Sequence, residues 1–127
     1  MGERDAKDLK VLLVEDFEDT RLFMRRALED HGFIVFEAEN GQTAVDNANR
    51  EKPDVILMDL TMPLMDGFAA AKLIRQNEQL KNVPIIAVTA HQETDFRSDA
   101  KASGFDAYVT KPIDVNWLKE LITGLLI

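Results

Sequence analysis

Five short apolar segments recur along the chain, and a segment long enough for a helix follows each of them. They occupy residues 9–14, 33–36, 55–58, 85–89 and 107–110. Apolar runs of this length, bounded by turn residues, are typical of strands that are buried on both faces. Five such units in succession predict an α/β domain, in which one parallel sheet with right-handed crossovers carries helices on both of its faces.

Local signals predict the helices between these strands. Asp19-Thr20 is predicted to cap the first helix, which ends near Asp30, and Asn40-Gly41 opens a second helix that ends before Pro53. Further helices are predicted from about 67 to 76, from about 94 to 103 with a thin apolar face, and after a cap at Asp114. The predicted inward-facing residues are Phe23, Met24, Ala27, Leu28, Ala44, Val45, Ala48, Ala70, Leu73, Ile74, Val115, Leu118, Leu121, Ile122 and Leu125.

Composition narrows the classes of function. The chain has 127 residues, the size of one domain, and it contains no cysteine, which excludes disulfides, zinc–thiolate sites and thiol catalysis. Its net charge of −8 disfavours direct binding to nucleic acid or to anionic lipid. Because the chain shows neither a membrane-spanning apolar run nor a signal peptide, a cytoplasmic protein is expected. Residues 1–8 are predicted to be a flexible segment, and residues 9–127 the folded domain.

Polar side chains stand at the carboxyl ends of four predicted strands. Glu15 and Asp16 follow the first strand, Asp59 follows the third, Thr89 ends the fourth and Lys111 follows the fifth. The carboxyl ends of parallel strands meet at one edge of a sheet, where ligands bind near the point at which strand order reverses. We therefore expect the three acids, the hydroxyl and the ammonium group to converge there.

Three converging carboxylates repel one another, and a divalent cation relieves that repulsion. Oxygen ligands without histidine or cysteine favour a hard ion such as Mg²⁺. A carboxylate beside Mg²⁺, a hydroxyl and a lysine can attack phosphorus, while the metal and Lys111 neutralise charge on the phosphoryl oxygens and Thr89 holds one of them. The sequence offers no evident general base and no Gly-rich phosphate loop, so rapid turnover is not expected.

These motifs resemble, in order and position, the receiver domain of two-component response regulators. The resemblance covers about residues 10–126, and it implies a five-stranded, doubly wound sheet of order 2-1-3-4-5, as in flavodoxin-like folds. The motifs that carry it are Glu15-Asp16, Asp59 with Met62-Pro63 and Met65-Asp66-Gly67, Thr89-Ala90, and Lys111-Pro112.

The resemblance implies a role for each acid. Asp59 would be the phosphoacceptor, taking its phosphoryl group from a phosphohistidine on a sensor kinase or a histidine phosphotransfer protein. Asp16 and Asp59 would bind Mg²⁺ directly together with the backbone carbonyl of Thr61, and Glu15 would act through metal-bound water. The domain would catalyse only its own phosphorylation and dephosphorylation, so it is not expected to be an enzyme in the ordinary sense.

The resemblance also implies a switch. Thr89 and Lys111 would engage the phosphoryl oxygens, and Tyr108 would be the switch aromatic that follows Thr89 inward. The movement would reshape the face formed by the predicted 94–103 helix, the last strand and the last helix, which a downstream protein or output domain would read. Thr61 and His91 would tune the lifetime of the phosphoryl group.

Two other functions remain open. A phosphohydrolase of the haloacid-dehalogenase type also uses a strand-end aspartate and Mg²⁺, but it needs a second aspartate at the position that Thr61 occupies. A pseudo-receiver that only binds partners is the other alternative, and the complete set of Asp16, Asp59, Thr89 and Lys111 argues against it.

Simpler structural interpretations exist for several of these residues. Asp59 by itself is compatible with the first polar residue of a loop, and Tyr108 with a half-buried strand aromatic. His91 is compatible with an exposed histidine that has no role, and Asp66-Gly67 with a turn and helix cap rather than a ligand.

Overall fold

A computed structural model describes residues 9–60, 67–89, 104–110 and 113–126. Its five strands form one sheet in the order β2-β1-β3-β4-β5, and every neighbouring pair is parallel. This confirms the predicted fold class and strand order. The strands are β1 (Lys10–Val14), β2 (Ile34–Ala38), β3 (Val55–Asp59), β4 (Ile85–Thr89) and β5 (Ala107–Thr110).

The helices lie in the connections between the strands, except for the C-terminal helix, which follows β5. They are α1 (Glu18–Asp30), α2 (Gly41–Glu51), α3 (Gly67–Arg75), a short 3₁₀ helix (Glu78–Leu80) and the C-terminal helix (Val115–Leu126). The predicted helix over 94–103 and the predicted flexible segment 1–8 lie outside the described residues.

The central strand β3 divides the core into two layers because its side chains point alternately to opposite faces of the sheet. Val55 and Leu57 pack on one face with residues of α1 and the C-terminal helix, such as Leu28 and Leu118. Ile56 and Met58 pack on the other face, with residues of α2 and α3 that include Ala44, Ala48, Ala70 and Ile74. All five residues of β3 are buried, so its last residue is held in a rigid frame.

The predicted helix start at Asn40-Gly41 and the predicted cap at Asp114 are confirmed. The Asn40 side chain accepts a hydrogen bond from the Thr43 amide at 2.8 Å, at the start of α2. The Asp114 carboxylate accepts from the Asn116 amide at 3.0 Å and from the Trp117 amide at 3.3 Å, at the start of the C-terminal helix. Both side chains satisfy amides that a helix N-terminus leaves without an intrahelical partner.

The predicted cap of α1 is wrong. The helix begins at Glu18, and its N-cap residue is Phe17, whose side chain makes no capping bond. Asp19, predicted as part of the cap, lies inside the first turn, where Glu18 and Asp19 interact favourably with the positive end of the helix dipole. The start of α1 is therefore set by the connection that follows β1 rather than by a capping side chain.

Two predicted core residues are instead exposed. Phe23 is 66% exposed and Leu73 is 38% exposed, whereas Met24 and Ile74, one position further along, are buried. Successive helical residues differ by about 100° around the axis, so burying Met24 on α1 turns Phe23 outward. On α3 the buried side is completed by Ala71 in place of Leu73.

Candidate functional site

Three acids from two neighbouring strands meet at the carboxyl edge of the sheet. Glu15 and Asp16 follow β1, Asp59 ends β3, and oxygen atoms of their three carboxylates lie within 4.8 Å of one another. We call these three residues the acidic cluster. The structure thus confirms the predicted convergence of the acids, and it excludes the interpretation of Asp59 as merely the first residue of a surface loop.

The acidic cluster lies partly below the surface. Glu15 is 3% exposed and Asp59 is 6% exposed, whereas Asp16 is exposed to solvent. Asp16 is therefore the member of the cluster that a ligand in solvent can reach most directly. Removing carboxylates from water raises the cost of their mutual repulsion, which favours a cation at this position.

Backbone pairing places both buried acids. The Glu15 amide donates to the Ala38 carbonyl at 3.1 Å, which extends the pairing of β1 with β2 by one residue. The Leu60 amide donates to the Val88 carbonyl at 3.2 Å, so the pairing of β3 with β4 continues past Asp59. The two strands therefore hold the acids at their ends with little freedom of the backbone.

The start of α3 packs directly against the end of β3. The Gly67 amide donates to the Leu60 carbonyl at 3.1 Å. A Cβ atom at Gly67 would collide with the Asp59 carbonyl oxygen and lie 3.0 Å from the Leu60 Cα, so glycine is required by this close approach. Gly67 was predicted as part of a turn and helix cap, at the start of an alanine-rich helix, but its close approach to β3 was not predicted.

Arg21 is a second residue whose position the sequence analysis missed. One of its guanidinium nitrogens, Nη1, donates to the backbone carbonyl of Glu15 at 3.0 Å. An arginine in the first half of a surface helix carries no sequence signal of such a contact.

The other predicted site residues are described only in part. The Thr89 backbone ends β4 and pairs in register with Thr110 of β5, which brings it to the same edge as Asp59, but its side chain lies outside the described part. Tyr108 of β5 is half-buried and packs against the core layer of α2 and α3. Thr61, His91 and Lys111 lie outside the described residues.

The chemistry of the acidic cluster fits a hard divalent cation. Its donors are carboxylate oxygens, which Mg²⁺ and Ca²⁺ prefer over nitrogen or sulfur. Mg²⁺ is commonly held by one or two carboxylates together with water and phosphate oxygens, which suits a cluster with one exposed acid.

Within the described ranges, no helix combines the length and the apolar character that crossing a membrane requires.

The sequence matches the family model "Response regulator receiver domain" over residues 11–123. It is 38% identical to the protein PilH of Pseudomonas aeruginosa over 118 residues, which cover 92% of this chain and 97% of PilH.

Solved structures agree with this match. The chemotaxis protein CheY4 of Vibrio cholerae shares 31% identity at a TM-score of 0.88, covering 93% of this chain and 98% of CheY4. The receiver domain of the sensor histidine kinase PA1611 from P. aeruginosa shares 32% identity at a TM-score of 0.87, with 93% and 97% covered. That receiver domain has a magnesium ion coordinated in its active site cleft.

Receiver domains are signalling phosphoacceptor domains rather than enzymes in the ordinary sense, and they take phosphate from histidine kinases and act on downstream targets. They bind Mg²⁺ at an acidic site. The sheet order, the acidic cluster and the family match all agree, and the chain belongs to the response regulator receiver domains of two-component signalling.

Proposed function

We propose that the chain is a phosphorylation-activated switch of a two-component phosphorelay, with Asp59 as the phosphoacceptor. The observation that carries this proposal is the placement of Asp59 at the carboxyl end of the central strand, within 4.8 Å of two further carboxylates. Of the two aspartates in the cluster, Asp59 is the one held rigidly by a strand that is buried along its whole length. A fixed nucleophile reduces the entropy that must be lost before in-line attack on phosphorus.

The transfer forms one bond and breaks another. A carboxylate oxygen of Asp59 attacks the phosphorus of a phosphohistidine on a sensor kinase or histidine phosphotransfer protein, and a phosphorus–oxygen bond forms. The phosphorus–nitrogen bond breaks, and the imidazole leaves with the electron pair. The product is an aspartyl phosphate, which adds about −1 to the charge that the carboxylate already carried.

The proposed direct ligands of the metal are Asp16, Asp59 and the Thr61 carbonyl, and Glu15 would act through metal-bound water. Mg²⁺ held there would supply positive charge to balance the phosphoryl oxygens and the three carboxylates. One contact and one difference in exposure support the different roles of Glu15 and Asp16. The Phe17 amide donates to the Glu15 carboxylate at 3.2 Å, whereas Asp16 is exposed to solvent.

Thr89 and Lys111 are proposed to bind the phosphoryl oxygens, and Tyr108 to couple that event to the surface. The support is positional: Thr89 ends the strand next to β3, and the partly buried Tyr108 lies on β5, the strand next to β4. The face that includes β5 and the C-terminal helix would then change shape for a downstream protein or an output domain.

Thr61 and His91 are proposed to tune the lifetime of the aspartyl phosphate because they stand two residues beyond Asp59 and Thr89. His91→Ala is expected to change the first-order decay of the phosphorylated protein. A decay rate equal to that of the wild type would exclude this role for His91.

Intact-mass measurement after incubation with Mg²⁺ and acetyl phosphate tests the proposal. The wild type is expected to gain one phosphoryl group, and Asp59→Asn to gain none. Asp54→Asn is the matched control: it makes the same substitution at the opposite end of β3, where the new amide oxygen can still accept from the Lys10 amide.

The alternatives give different results in the same experiment. A wild type without any adduct supports the pseudo-receiver, and rapid hydrolysis of phosphate esters supports the phosphohydrolase. An adduct that survives in Asp59→Asn contradicts the assignment of the phosphoacceptor.

A further inference from the structure

We propose that Arg21 is a positioning residue for the acidic cluster: its guanidinium fixes the backbone of Glu15, while Glu37 neutralises its charge. Arg21 lies in the first half of α1, and its side chain is 16% exposed. This inference rests on the proposed Mg²⁺ site, and it concerns how this chain preorganises that site before any ligand arrives.

The contacts of Arg21 reach two strands at once. Its Nη1 donates to the Glu15 carbonyl at 3.0 Å, immediately after β1. Its Nε donates to the Glu37 carboxylate at 3.1 Å, on β2. Because a guanidinium carries several donors in one rigid plane, a single side chain can hold both partners in a defined geometry.

Both backbone polar groups of Glu15 are thereby engaged. The Glu15 amide donates to the Ala38 carbonyl at 3.1 Å, and its carbonyl accepts from Arg21. A buried carbonyl without a partner is costly, so the Arg21 contact both satisfies this group and fixes the peptide plane. That plane connects Glu15 to Asp16, and its orientation determines where the Asp16 side chain starts.

The contact also closes a small ring of hydrogen bonds around the β1–α1 connection. The Arg21 amide donates to the Phe17 carbonyl at 2.9 Å, and the Phe17 amide donates to the Glu15 carboxylate at 3.2 Å. The Arg21 guanidinium donates to the Glu15 carbonyl, which completes the ring. A connection tied at three points loses little conformational entropy when a cation binds to its carboxylates.

Glu37 keeps the guanidinium from opposing the cation. An unpaired positive charge this close to the acidic cluster would repel a divalent ion. Glu37 pairs with Arg21 and also with Arg25, and its side chain is 28% exposed. Arg21 can therefore act mainly as a hydrogen-bond donor toward the cluster. Arg25 also pairs with Glu37, but none of its described contacts is with Glu15.

The shared partner provides a matched pair of variants. Arg21→Met and Arg25→Met each remove one ion pair with Glu37 from α1, but only Arg21→Met removes a donor to Glu15. Calorimetric titration with Mg²⁺ is expected to show a dissociation constant raised about tenfold or more in Arg21→Met, as is typical for residues that orient metal ligands. In Arg25→Met the dissociation constant is expected to stay within about a factor of two of the wild type.

A second readout needs no metal. In the absence of Mg²⁺, the carbonyl ¹³C shift of Glu15 and the hydrogen exchange of the Phe17 amide are expected to change in Arg21→Met and to stay unchanged in Arg25→Met. If Arg21→Met does not fold, Arg21→Lys and Arg25→Lys take the places of the two variants, because one ammonium group cannot reproduce the planar double contact.

Unchanged Mg²⁺ affinity in Arg21→Met would overturn the inference. An equal loss of Mg²⁺ affinity in both variants would also overturn it, because such a loss would reflect only the unpaired charge of Glu37 or a general destabilisation. If the wild type itself binds no Mg²⁺, the proposed metal site fails instead. In that case the two metal-free readouts decide whether Arg21 positions Glu15.

Discussion

Single residues at the edge of the sheet show how tightly this site is built. Gly67 approaches the Asp59 carbonyl so closely that no side chain fits, whereas a Cβ atom at Gly124 would meet nothing within 4 Å. Gly67→Ala is therefore expected to lower the free energy of unfolding by about 1–3 kcal/mol, the usual cost of overpacking, and to slow the phosphorylation that is proposed at Asp59. Urea denaturation and intact-mass labelling by acetyl phosphate measure these effects.

Gly124→Ala is the control for that substitution. It places the same methyl group in the C-terminal helix, where alanine is expected to stabilise by about 0.5–1 kcal/mol. If the two substitutions changed the free energy of unfolding equally, the packing between α3 and β3 would not require a glycine.

His31 connects α1 to the C-terminal helix. Its Nδ1 lies 3.0 Å from the Ala27 carbonyl and its Nε2 lies 2.8 Å from the Asn116 Oδ1. Both partners accept, so only the doubly protonated ring donates to both. The bond to Asn116 and then the bond to Ala27 raise the pKa of His31 above its ordinary value of 6.5. The cation also lies at the negative end of α1, whose last turn contains no basic residue.

This raised pKa predicts a direction of pH dependence. The stability that His31 contributes is complete below pH 6.5 and is lost as the pH rises through the raised pKa. The difference in unfolding free energy between wild type and His31→Gln is expected to shrink as the pH rises from 6.5 through the raised pKa. Asn116→Ala is expected to return the pKa toward 6.5, as measured by NMR titration of the ring. A wild-type pKa at or below that value would contradict the prediction.

At the scale of elements, Arg75 ties the end of α3 to two connections. Its guanidinium donates to the carbonyls of Leu80 at 3.1 Å and Gly104 at 2.7 Å, and it pairs with Asp106 at 2.8 Å. Asp106 in turn accepts from the Ile85 amide at 2.9 Å, at the start of β4. One side chain thus joins α3 to the segments that precede β4 and β5.

Arg75→Met is expected to destabilise the domain by about 2–3 kcal/mol because it leaves several carbonyl groups without their charged donor. Lys72→Met, one turn earlier on the exposed side of α3, is expected to change stability by less than about 0.5 kcal/mol. Urea denaturation of the two variants checks the difference, and similar losses would show that Arg75 contributes only surface charge.

At the scale of the whole molecule, we expect cation binding to be coupled to folding. The folded domain brings three carboxylates together, whereas the unfolded chain separates them, so Mg²⁺ is expected to stabilise only the folded state. At about 100 times its dissociation constant, Mg²⁺ should add about 2.7 kcal/mol, which corresponds to a rise of about 10 °C in the melting temperature.

Asp16→Asn removes the exposed carboxylate that is proposed as a ligand, and it should abolish most of this rise in melting temperature. Asp19→Asn, an exposed acid of α1 outside the cluster, should retain it. Thermal unfolding with and without Mg²⁺ measures both, and an equal response of the two variants would contradict a metal site at the acidic cluster.

Much of the fold and part of the site could be predicted because their signals are local in sequence. The apolar run 55–58 marks a strand buried on both faces, and Asp59 directly after it must stand at the strand's end. The positions of Glu15 and Asp16 follow from the same reasoning, and parallel pairing then requires the three acids to meet. The strand order came from the family resemblance rather than from the pattern of apolar residues.

The rotation of the helices could not be predicted with the same success. Apolar residues on α1 cover more than one stripe, and nothing in that pattern decides whether Phe23 or only its neighbour Met24 faces the sheet. Packing of α1 against the C-terminal helix and the sheet decides this rotation, because Met24 and Leu28 are buried in that interface and Phe23 stays exposed.

The sequence by itself determined that this chain forms a parallel α/β sheet with acids at its carboxyl edge, because strand periodicity and strand ends are encoded by adjacent residues. Only the tertiary structure decided how that edge is held. Arg21 meets Glu37 from 16 positions away, and Gly67 meets Asp59 through a connection between two elements. Contacts of this kind depend on distances in space, which no local pattern of residues specifies.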